Sequence, residues 1–107
     1  MNQLNATELA QWLNDPPRTP PVLLDVREPW EVQKAAMPGI TAIPMNEIPQ
    51  RAGELDPARD IVAICHHGMR SLQVAHFLAR QGFARMHNLS GGIDAWSRMV
   101  DPGVSRY

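Results

Sequence analysis

An α/β domain built on a mostly parallel sheet is the fold class this 107-residue sequence predicts. Two observations carry it. The runs VLLDV (Val22 to Val26) and DIVAIC (Asp60 to Cys65) are apolar but for one aspartate each, as strands covered on both faces are. Segments of helical period alternate with them, which is the order that produces parallel sheets with crossover helices.

Taken in order, NATELAQWLND offers Asn5 or Thr7 as an N-cap, with Leu9, Trp12 and Leu13 on one helical face. The segment PPRTPP ends that helix as a stiff loop before the first clear strand. EPWEVQKAA places Pro29 where the start of a helix tolerates it, with Trp30 and Val32 as apolar anchors. A very short strand is expected over Thr41 to Ile43, then a weak helix or turn in NEIPQRAGEL. The strand DIVAIC leads into RSLQVAHFLARQGF, where Val74, Ala75, Phe77 and Leu78 face the core and Gly82 is the stop. A short strand over Arg85 to Asn88, a Gly91-Gly92 turn and a helix IDAWSRM complete the pattern. The three tryptophans, Trp12, Trp30 and Trp96, are expected as core or half-buried packing residues. The tail VDPGVSRY is expected to turn at Pro102-Gly103 and end as an extended arm.

Composition narrows the function classes. A net charge of −1 gives no general reason to expect nucleic acid or an anionic membrane as partner. The single cysteine forms no internal disulfide and no zinc-ligand pair, which fits a reducing compartment. The N-terminal stretch lacks the basic and apolar regions of a secretory signal, and no apolar run reaches membrane length, so a cytoplasmic setting is expected. Length predicts one domain over residues 1–107, with a core to about residue 100 and a tail over 101–107.

The chemistry concentrates in CHHGMRS, Cys65 to Ser71. Cys65 ends a strand of a parallel sheet, the edge at which such sheets bind ligands. The following helix presents N–H groups without intrahelical partners, backed by the positive end of its macrodipole. Such a cradle stabilises a thiolate or another anion. Gly68 permits a bend closed to other residues, and Arg70 and Ser71 open the helix, with Arg70 placed to orient or neutralise an oxyanion. A free cysteine ending an apolar strand is often inert packing; Cys-x-x-Gly-x-Arg-Ser is more than packing requires. His66 and His67 are adjacent in a tight loop, and neither His76 nor His87 has ligand spacing to them, so no metal site is expected. Near pH 7 either histidine is instead expected to attract an anionic substrate. Asp25 and Arg27 are expected as a structural charge couple on the same edge, with Glu31 on the rim or on a solvated helix face.

These residues resemble the rhodanese-like family of sulfurtransferases. CHHGMRS is similar to its active-site loop, LLDVREPWE to its early Asp-x-Arg-x-x-x-Glu signature, MPGITAIPM to its IPGA-x-x-IP segment, and NLSGGIDAW to its L-x-GG-x-x-AW element. The resemblance implies a three-layer α/β domain with a parallel five-stranded sheet flanked by helices. It implies that Cys65 takes sulfur from a donor such as thiosulfate as a persulfide, held by the loop His66, His67, Gly68, Met69, Arg70 and Ser71. A thiol, cyanide or a sulfur-carrier protein would then accept that sulfur, and no cofactor is implied. Cys65 to Arg70 spans the loop length of sulfur transfer in this superfamily, where phosphatases have one residue more. A phosphatase or arsenate reductase, and a sulfur-carrier or docking module, are the alternatives. Ala35 and Ala36 stand where many members carry histidine, and a local structural change is the expected consequence.

Overall fold

A computed structural model describes all residues from 1 to 107. Five strands, β1 (Asn2–Leu4), β2 (Val22–Asp25), β3 (Ile40–Ala42), β4 (Ile61–Ile64) and β5 (Met86–Leu89), form one parallel sheet in the order β1-β5-β4-β2-β3. The helices are α1 (Ala6–Leu13), α2 (Pro29–Lys34), α3 (Ile48–Arg51), α4 (Met69–Arg80) and α5 (Gly92–Met99). Short 3-10 turns, Met45–Glu47 and Ala52–Glu54, flank α3.

The sheet divides the core into two layers. Side chains alternate along β4, so Val62 and Ile64 join Leu9, Trp12, Ile93 and Trp96 of α1 and α5. Ile61, Ala63 and Cys65 face the other way, against Val74, Ala75 and Leu78 of α4 and Ile48 of α3. Both faces are covered, which is why β4 is apolar at every position.

The predicted elements form with small shifts: the third strand starts at Ile40 and the fifth ends at Leu89. The element that sequence patterning missed is β1, whose residues Asn2, Gln3 and Leu4 lack a strand's apolar signature. It exists through its pairing with β5, Asn2 opposite His87 and Leu4 opposite Leu89. Asn5 is the cap of α1; its side chain accepts from Glu8 N at 2.8 Å, and the Glu8 carboxylate accepts from Asn5 N at 2.9 Å. Two packing expectations are corrected. Leu13 and Trp30 are exposed, Trp30 by 57%, because each sits on the outer face of its helix. Phe77 faces the core as expected, packed half-buried against the α4-side layer.

The chain order explains where a site can form. From β2 the chain continues outward to β3, and from β4 it continues in the opposite direction to β5. The connections therefore diverge between β2 and β4, leaving a crevice beyond their carboxyl ends. Asp25 to Arg27 and Cys65 to Gly68 are the segments that leave those two ends.

Candidate active site

The backbone after β4 bends sharply before α4 begins. Gly68 supplies the bend with φ of +102°, and a Cβ there would lie 3.1 Å from Gly91 N and 3.2 Å from Leu89 O. Both the conformation and the space exclude a side chain. The returning chain closes the loop from the other side. Ile93 N donates to Cys65 O at 2.9 Å and Asp94 N donates to His66 O at 3.1 Å, so the start of α5 takes up the loop's carbonyls. A Cβ on Gly92 would collide with those same carbonyl oxygens. The Gly91-Gly92 pair, expected as a tight turn, thus also permits a close backbone approach.

Cys65 is 1% exposed, at the centre of this bend. Its Sγ accepts from Gly68 N at 3.1 Å and lies 3.2 Å from Ser71 Oγ. The backbone N–H groups of His66, His67, Met69, Arg70 and Ser71 have no acceptor within the protein. With the Cys65 and His66 carbonyls turned to α5 and five amides unclaimed, the loop that holds the sulfur is rich in free donors.

Arg70 takes a different role from the one its sequence position suggested. Its guanidinium binds the Glu31 carboxylate through two parallel bonds, Nη1 to Oε2 at 2.7 Å and Nη2 to Oε1 at 2.8 Å. It ties α4 to α2 beside the loop. Glu31, offered as a rim residue or part of a solvated face, is 4% exposed. The Arg70 bonds, together with those from Glu28 N and Tyr107, outweigh burial and lower its carboxyl to about 2.

Asp25 and Arg27 are buried completely, beyond the partly buried couple expected. Arg27 Nε donates to Asp25 Oδ1 at 2.9 Å and Nη2 to Asp25 Oδ2 at 2.7 Å. The remaining donors reach Ala35 O at 2.6 Å, Glu31 O at 3.4 Å and Tyr107 Oη at 3.0 Å. Ala35, where the family pattern often has histidine nearby, is thus a backbone anchor for this arginine. One guanidinium fixes the end of β2, the end of α2 and the tail.

The tail does not extend away from the domain. Val104 is buried against the α1–α5 layer, and Arg106 pairs with Asp94 at 3.3 Å. Tyr107 Oη donates to Glu31 Oε1 at 2.9 Å, while its ring stacks on His66 at 4.0 Å. His66 stacks in turn on His67, also at 4.0 Å. Burial, then the neighbouring His67, lower the His66 imidazole below its ordinary range. The shift favours the neutral ring at His66, against the charge attraction expected of the histidines.

Sequence reasoning missed Asn88 and Tyr107. Asn88 is a 1% exposed amide in β5, and its side chain reaches Ser71, Gly68 and Gln3. A polar residue in a doubly covered strand must find a buried partner, and that was the available signal. Nothing local marked Tyr107.

Comparison with known proteins agrees with this geometry. A sulfurtransferase from Allochromatium vinosum is 40% identical over 106 residues, covering 98% of this chain and 96% of that protein. A chloroplastic protein of Arabidopsis thaliana, described as rhodanese-like/PpiC domain-containing protein 12, is 40% identical over 89 residues; the match spans 79% of this chain but only 30% of that longer protein. A crystal structure from Staphylococcus saprophyticus superposes with a TM-score of 0.85 at 31% identity, over 99% of this chain and 100% of that one. The model of the Rhodanese-like domain matches residues 5–99, and the chain belongs to that family.

Proposed function

We propose that this protein moves sulfane sulfur from a small donor such as thiosulfate to a thiophilic acceptor, through a persulfide on Cys65. The observation that carries the reading is the setting of Sγ. It is the one thiol of the chain, buried and bonded by Gly68 N, in a loop whose other amides no protein group claims. The thiolate attacks the outer sulfur of thiosulfate, the donor's S–S bond breaks, and its electron pair leaves with sulfite. The negative charge passes to the outer sulfur of the persulfide, where the free N–H groups of the loop stabilise it without rearrangement. An acceptor thiol, cyanide or carrier protein then removes that sulfur and restores the thiolate, a ping-pong cycle.

Intact-protein mass after brief exposure to thiosulfate tests this directly, with wild type beside Cys65→Ser. The expected result is a gain of one sulfur atom, reversed by cyanide and absent from the variant. Transfer that persists in Cys65→Ser would sink the mechanism. Absence of the gain with thiosulfate and with other persulfide donors would sink the activity.

A further inference from the structure

Ser71 is asked to donate twice. Its Oγ lies 3.2 Å from Cys65 Sγ and also within hydrogen-bonding distance of Asn88 Oδ1. A hydroxyl carries one proton, so it donates to one of these acceptors at a time. Asn88 cannot relieve the competition by turning over. Its Nδ2 donates to Gly68 O at 3.1 Å and to Gln3 Oε1 at 2.9 Å, and a reversed amide would set oxygen against the Gly68 carbonyl. Cys65, Ser71 and Asn88 are each at most 1% exposed, so bulk water does not make up the shortfall.

We infer that Asn88 is a positioning residue that draws the Ser71 proton away from Sγ except when Sγ is anionic. In the thiol, Cys65 S–H donates to Ser71 Oγ and Ser71 O–H donates to Asn88 Oδ1, so each contact has one proton. In the thiolate, Ser71 turns its O–H to Sγ beside Gly68 N–H. Asn88 Oδ1 then faces the lone pairs of Ser71 Oγ, an unfavourable contact in a dry site. Persulfide formation joins Sγ to the donor's outer sulfur, breaks the donor's S–S bond and releases sulfite with the electron pair; no proton is gained or lost. Sγ is then neutral, and Ser71 returns its proton to Asn88. Asn88 therefore favours the sulfur-loaded state over the thiolate while touching neither the donor nor the sulfur. The persulfide half of this inference rests on the proposed activity; the thiol–thiolate half does not.

Alkylation of the sulfur-free protein by iodoacetamide at pH 7, followed by intact mass, reads thiolate availability without any sulfur transfer. Asn88→Ala releases Ser71 to donate to Sγ, and alkylation is expected to rise about fivefold, the worth of one hydrogen bond. Ser71→Ala removes the donor, and alkylation is expected to fall about fivefold. The opposite signs are the signature. A purely structural Asn88, holding the loop through Gly68 O, would slow alkylation when lost; that result, or an unchanged rate, overturns the inference. If Asn88→Ala does not fold, carbon-13 NMR of the wild type decides. The Asn88 Cγ resonance should move upfield as Cys65 ionises, and a resonance that ignores ionisation overturns the relay. Opposite alkylation shifts with no persulfide in the mass assay would leave the relay standing and sink the sulfur-transfer reading.

Discussion

Arg27 and Arg51 each bind acidic side chains through well-formed ion pairs, yet they occupy opposite extremes of this molecule. The Arg27–Asp25 pair has no exposure on either side chain, whereas Arg51, Glu47 and Glu54 are 36%, 49% and 56% exposed. Arg27 also reaches two backbone carbonyls of α2 and its C-cap and a tyrosine of the tail, while Arg51 bonds only neighbours three and four residues away. A buried, multiply bonded charge dictates where its partners must stand. A solvated pair along one helical stretch decorates a geometry already set. The first kind of pair stands at the end of β2, beside the end of β4 that carries the cysteine loop; the second lies along the short α3 region.

Three substitutions break or sharpen this contrast, in falling order of effect. Arg27→Ala strands the Asp25 carboxylate in the core and releases the ends of β2 and α2. The expected loss is about 3–5 kcal/mol, measured by urea unfolding at neutral pH. A loss no larger than that of a surface pair would show that Arg27 does not organise the site.

Glu31→Gln comes next, and its cost should depend on pH. The folded-state carboxyl titrates at about 2, below its ordinary 4.5. A depressed carboxyl contributes stability that is complete above the unfolded value and disappears as pH falls through the folded one. The stability gap between wild type and Glu31→Gln is therefore widest above about pH 5 and narrows toward pH 2. A gap constant over that interval would mean that the bonds from Arg70 and Tyr107 do not depend on the carboxylate's charge.

The smallest effect is that of Arg51→Ala. Its partners remain solvated when it is gone, so unfolding midpoints should coincide within error at 0.15 M salt. A clear loss would make the exposed pair a structural element after all.

These contrasts also separate what was legible in the sequence. Apolar runs exposed β2 and β4, and Asn5 stood among the two N-cap candidates for α1, because these signals are local. Cys65 through Ser71 was legible for the same reason: the bend, its glycine and its donors come from consecutive residues. Asn2–Leu4 was not, since a three-residue polar edge strand is defined by its neighbour rather than by its own pattern.

Side-chain partnerships were the other blind spot. Sequence alone placed Arg70 at the mouth of the loop, but only the tertiary fold brought Glu31 of α2 to within 2.7 Å of it. Tyr107 is 76 residues from Glu31, and Asn88 is 17 from Ser71. No periodicity spans such separations. By itself the sequence determined the layered α/β order and the local cradle around one thiol. Tertiary structure alone decided which charges are buried, where the Ser71 proton can go and what covers His66, because these depend on chain segments that meet only when the sheet closes.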